Sequence, residues 1–137
     1  LKKSSAKLIP QNSILIAMYG ATVGEYAIIT KEMTCNQAVC ALIPNTKYPY
    51  TYLFLLVKSM KEELINMAVG SAQQNISQLL IKKLPVLMCI KEIHEFHSIV
   101  NPNFEKIKSN FYTIRTLTTL RDTLLPKLMS GEVRVNS

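Results

Sequence analysis

Glycine and proline are scarce, at four and six of 137 residues. That excludes collagen-like and linker-type chains. Long apolar runs are missing too. The longest are Ile14–Tyr19, Ala38–Ile43 and Tyr52–Val57, far short of the ~20 residues that cross a bilayer. No signal peptide is legible at the start, because Lys2 and Lys3 are followed by polar residues and not by an apolar run. An intracellular, cytoplasmic protein is therefore the expectation. The chain opens on Leu1, not Met, so a longer protein and a preceding targeting segment stay open.

Cysteine is limited to Cys35, Cys40 and Cys89. The odd number and the lack of a Cys-x-x-Cys pair indicate neither a disulfide framework nor a zinc knuckle. All three are expected to be small buried hydrophobes in a reducing compartment. Acidic residues are also few, nine against sixteen basic ones, for a net charge of +7. Such a surplus in a small domain favours a polyanionic partner, most commonly nucleic acid.

What is present suffices for a core. Hydrophobic residues make up 48% and charged residues 18%, so extensive disorder is excluded. The length fits one domain, or one domain plus an appended element. Residues 13–19 and 26–30 read as strands around the glycine-flanked turn Gly20–Gly24, with a third strand over Gln37–Ile43. After the loop Asn45–Tyr48, Pro49 suits a first helical turn. Leu53, Leu56, Met60, Leu64 and Met67 then recur at helical spacing, and Gly70 is a natural stop. Ser77 suits the cap of a short helix, Gln78–Leu84, that ends in Lys82 and Lys83. Pro85–Ile90 reads as an edge strand.

Helical periodicity dominates thereafter. Ile93, Phe96 and Val100 share a face, and Asn101-Pro102-Asn103 is expected to interrupt it. An apolar stripe follows: Phe104, Ile107, Phe111, Ile114, Leu117, Leu120, Leu124 and Leu128. It predicts a helix of about 25 residues, on the order of 35–40 Å long, whose exposed stripe calls for a partner helix. Pro126 should kink or end it. The expected fold is mixed α/β (α+β), a small β-rich domain followed by a long pairing helix. The expected divisions are a recognition domain at 1–90, a Pro-containing helical connector at 91–103, the long helix at 104–131 and a tail at 132–137.

Catalytic chemistry finds little support. His94 and His97 lack the His-Glu-x-x-His spacing and an evident third ligand, so a solvated helix face is the expectation. No nucleophile elbow and no paired carboxylates at useful spacing occur. Gly20–Gly24 lacks the Lys-Ser/Thr ending of a phosphate loop and reads as a tight turn. In Cys35-Asn36-Gln37-Ala38, a buried structural hydrogen bond to a neighbouring loop is expected. Gly70–Ser77 is richer, because Gln73, Gln74 and Asn75 are amides able to read adenine edges. Ser71 and Ser77 sit where a helix start can hold a phosphate.

Four motifs now stand in order: Ser13–Gly24, Cys35–Ala38, Gly70–Ser77 and Leu120–Val133. Together they resemble the DNA-specificity subunit of Type I restriction–modification systems over almost the whole chain. The resemblance implies a non-catalytic protein built from two recognition domains, each followed by a long helix. Each domain reads one half of a split sequence in double-stranded DNA. The helices pack antiparallel and set the spacing. Modification (methyltransferase) subunits dock on the subunit and, through them, restriction subunits, which together own the ATP and S-adenosylmethionine chemistry. The chain itself then needs no cofactor and no metal.

The chain departs from that pattern in holding one recognition domain, expected to lack its N-terminal part, and one long helix. It is expected to pair through Phe104–Leu128 with a second half or a second copy. Alternatives are a half-subunit acting mainly in dimerisation and assembly, or the specificity tail of a fused restriction–methylation enzyme. Gly20, Gly24, Asn36, Gln37 and Gly70 are expected to shape loops. The DNA-contact candidates are Lys2, Lys3, Lys7, Thr22, Lys31, Ser71, Gln73, Gln74, Asn75, Ser77, Lys82 and Lys83.

Overall fold

A computed structural model describes residues 7–69 and 75–134. Lys2, Lys3, Gly70, Ser71, Gln73 and Gln74 lie outside the described residues. The chain divides into two compact units, Leu1–Val100 and Asn101–Ser137.

The first unit is built around a three-stranded antiparallel sheet. The strands are β1 (Ile14–Ala17), β2 (Tyr26–Ile28) and β3 (Val39–Leu42), in the order β2-β1-β3. Register is set by Ile16, which lies opposite Tyr26 on one side and Cys40 on the other. Alternation does the rest, since Ile14 and Ile16 point to one face and are fully buried. Helices α1 (Tyr50–Ser59), α2 (Lys61–Val69) and α3 (Gln78–Lys82) cover that face. They supply Leu53 and Val57, Leu64 and Ala68, and Ile81 to one cluster, joined by Ile93. Each full burial of such a side chain contributes roughly 1.5–3 kcal/mol before entropy is counted.

The stripe expected to form one helix after Pro49 is divided. The chain turns at Met60, whose N–H reaches the Leu56 carbonyl while its own carbonyl accepts from Leu64 N. The mixed α/β expectation holds: a small antiparallel sheet and a long C-terminal helix are both present.

Two expectations fail. Pro85–Cys89 forms no strand. The N–H of Leu87 donates to the Tyr52 hydroxyl at 2.9 Å and not to a strand. Nor does Asn101-Pro102-Asn103 break the last helix. α4 runs from Ile90 to Met129 with Pro102 and Pro126 inside it. An internal proline costs about 3 kcal/mol. The helix continues nonetheless, and its start is anchored in the first unit by buried Ile93.

The second unit contains the α4 residues after Val100. Among the pairing candidates, Ile107, Phe111, Ile114, Leu117, Leu120, Leu124 and Leu128 are exposed and Phe104 is half-buried. No helix among the described residues is long and apolar enough to cross a membrane.

Candidate nucleic-acid interface

Three of the four sequence motifs meet at one residue. Met18 follows β1, and its side chain is buried. Its N–H donates to the Ala38 carbonyl at 2.8 Å, and its carbonyl accepts from Ile76 N at 2.9 Å. Tyr19 then forms an isolated antiparallel bridge with Asn75. The Gly20–Gly24 turn, the Cys35–Ala38 loop and the end of the Gly70–Ser77 loop are therefore gathered at one end of β1. Nothing in their separate sequences announces this. It follows from the pairing of β1 with β3 and from the bonds of Met18 and Tyr19 to Ile76 and Asn75.

Each loop is closed by local chemistry. Gly20 sits at φ +77° and Gly24 at φ +81°, left-handed conformations that glycine adopts without steric cost. Gly24 also has a neighbour, because a Cβ there would come within 2.6 Å of Ile65 Cγ1. Around them, Val23 N donates to the Gly20 carbonyl and Gly24 N to the Ala17 carbonyl. Thr22 is exposed on this turn.

In the second loop, Asn36 Oδ1 accepts from Ala38 N at 3.0 Å, an exposed bond within the turn. The expected buried bond to a neighbouring loop is thus replaced by a local one. Asn and Asp favour this closure because a short side chain mimics a backbone turn. Gln37 beside it is exposed. In the third loop, Ser77 caps α3 as expected, its Oγ accepting from Leu80 N at 3.3 Å.

The basic candidates divide. Lys82 and Lys83 are exposed at the end of α3. Lys82 is close enough to favour the ionised form of the Cys40 thiol on β3. Lys31 belongs to the other end of the sheet. It lies two residues past Ile29, whose carbonyl accepts from Asn12 N and whose N–H donates to Ser13. Lys7 is exposed two residues before Ile9, which bridges Met33. None of these four lysines forms an ion pair among the described residues. Lys61, by contrast, is held by Glu25 at 2.6 Å.

Two side-chain expectations are corrected. His94 is exposed, as expected of a solvated face, while His97 is half-buried, and both rings are engaged. His94 Nε2 lies 2.7 Å from the Thr46 carbonyl, and His97 Nδ1 lies 2.8 Å from Thr51 Oγ1. Both fasten the start of α4 to the entry of α1, and the i, i+3 spacing serves that tether. Cys35 and Cys89 are exposed and Cys40 is half-buried. The reason is position: Cys35 is in a turn, Cys89 precedes a helix, and Cys40 is on an edge strand. Burial pushes the Cys40 thiol up from its ordinary value, as does Cys35, while Lys82 pulls it down. Among the described residues, no three His, Cys, Asp or Glu side chains gather to hold a metal ion.

Sequence reasoning missed Tyr19 and the junction at Met18. The available signal was small: an aromatic residue as the last position before Gly20, where a strand gives way to a turn.

Residues 1–100 match the model of the Type I restriction modification DNA specificity domain. The chain is 35% identical over 133 residues to the HindI specificity subunit of a Type I restriction enzyme from Haemophilus influenzae, covering 94% of the chain and 29% of that protein. It is 29% identical over 141 residues to the MjaIX specificity subunit from Methanocaldococcus jannaschii, covering 98% and 32% respectively. The chain thus spans less than a third of the length of either relative.

Proposed function

Because the chain belongs to the family of Type I restriction modification DNA specificity domains, we propose that it is a non-catalytic module that recognises a specific sequence in double-stranded DNA. It reads one half of a bipartite target. The observation that carries this reading is the meeting of three motif loops at Met18, beside a helix ending in two exposed lysines.

The roles divide by chemistry. Lys82 and Lys83 meet phosphates near the junction, Lys7 and Lys31 are candidates for phosphates further along the backbone, and Lys2 and Lys3 are candidates by charge. Thr22, Asn75 and Ser77 face DNA from the junction, joined by Ser71, Gln73 and Gln74 from the rest of their loop. Asn and Gln suit adenine, whose major-groove edge offers one donor and one acceptor. Phosphate contacts set the register of the protein on the duplex, and side chains at base edges supply the selectivity.

The long helix has a separate task. Its stripe from Phe104 to Leu128 pairs with a second recognition half or a second copy and offers a platform for modification subunits, and through them restriction subunits. The exposure of Ile107, Ile114 and Leu117 also supports a second reading, in which the chain acts mainly in dimerisation and assembly.

The test is selection from a randomised duplex pool at moderate salt. Enrichment of a short motif establishes a reader. A motif repeated in inverted orientation at fixed spacing adds helix-paired dimers. A pool that emerges unchanged overturns the DNA reading and leaves the assembly role.

A further inference from the structure

The first unit contains five tyrosines, and four of them are occupied. Tyr26 packs edge-on against Phe54 with ring centroids 5.2 Å apart. Tyr48 stacks on Tyr52, whose hydroxyl also accepts from Leu87 N. Tyr50 lies edge-on to His97 at 5.9 Å. Tyr19 differs from all of them. It is 43% exposed, and among the described residues its side chain enters no hydrogen bond and no ring contact.

Its backbone, however, is fixed on every side. Met18 before it is bonded to both Ala38 and Ile76. Asn75 lies across from it in the bridge. Gly20 after it holds a left-handed turn. An aromatic side chain is therefore presented to solvent from an anchored main chain, at the point where the three motif loops meet. The ring does not belong to the buried core cluster. An aromatic with two χ angles, held in place before its partner arrives, loses little conformational freedom on contact.

We propose that Tyr19 is a specificity-determining residue that meets base edges, not phosphates. This rests on the DNA reading above and deepens it. The ring offers an apolar face of the kind that packs against a thymine methyl, and the hydroxyl both donates and accepts. Lys82 and Lys83, exposed at the end of α3, are the phosphate partners in the reading above.

The experiment uses the full chain with Tyr19 intact, as Tyr19→Ala, as Tyr19→Phe and as Tyr19→His, each selected against the randomised duplex pool. Each is then titrated with the intact chain's preferred duplex at several salt concentrations. Tyr19→Ala is expected to lose discrimination at one position of the motif and to bind that duplex about tenfold more weakly. The slope of log affinity against log salt stays the same, because every phosphate remains neutralised as before.

Unchanged affinity and motif after Tyr19→Ala overturns the proposal while leaving the DNA reading intact. So does weaker binding spread evenly over all sequences with the motif preserved, which marks a phosphate partner. If the intact chain selects nothing, both ideas fall together. Should Tyr19→Ala not fold, Tyr19→Phe and Tyr19→His decide together: altered preference at one position in either supports the proposal, and an identical motif in both overturns it.

Discussion

Thr51 Oγ1 lies 2.8 Å from His97 Nδ1, and Thr51 is fully buried. One hydrogen bond thus joins the first turn of α1 to α4 inside the first unit, with the Tyr50 ring against the same imidazole. Thr51→Val keeps the shape and removes the partner. It is expected to lower unfolding free energy by about 1 kcal/mol, measured by urea denaturation. His97→Ala should cost at least as much, and an unchanged midpoint in both variants would show the bond contributes nothing.

Gly20 and Gly24 separate two penalties that usually occur together. Both have positive φ, but a side chain at Gly20 meets open space while one at Gly24 meets Ile65. Gly20→Ala should cost roughly 1–2 kcal/mol from conformation alone. Gly24→Ala should cost that plus roughly 1–3 kcal/mol for overpacking. Thermal unfolding of the two variants side by side gives the ranking.

Lys82 and Lys83 provide the electrostatic test. Replacing both with alanine should reduce the log–log salt slope of DNA binding by ~0.9 for each phosphate that is no longer neutralised. Affinity should fall evenly across sequences, leaving the selected motif intact. A changed motif with an unchanged slope would place these lysines on bases.

The cysteines should differ in reactivity. Thiolate is the nucleophile, and the Cys40 thiol, held up by burial and by Cys35, stays protonated to higher pH. Alkylation followed by peptide mapping at neutral pH should therefore modify exposed Cys35 and Cys89 well before Cys40. Raising the pH should then bring Cys40 in.

Ile114 and Leu117 test the stripe on α4. Both are exposed, so replacing them with aspartate should leave the unfolding midpoint of the first unit unchanged. Self-association, followed by sedimentation, should weaken by at least about tenfold if the stripe is a pairing face. DNA binding by a single copy should persist.

These residues also show what a linear reading reaches. Ser77 and the two turn glycines were legible because their roles depend on neighbours three or four positions away. Strand β1 was legible from its apolar run, but with Leu15 and Ala17 apolar too, nothing in the run told that the face of Ile14 and Ile16 is the buried one. Leu87 was not, since its N–H is satisfied by a hydroxyl 35 residues earlier, and the segment therefore never needs a strand. Pro102 misled because its local cost is real, but the helix around it is anchored elsewhere. The separation of Lys31 from Lys82 depends on strand register, which the pattern of single residues does not contain.

The two bonds at Met18 are both made by main-chain atoms. A loop moored in this way keeps its anchorage whatever side chains it carries. Asn75, Gln37 and Thr22 can be exchanged for other residues without cutting the moorings. Under the DNA reading proposed above, substitutions at such positions change the target while both main-chain moorings stay in place.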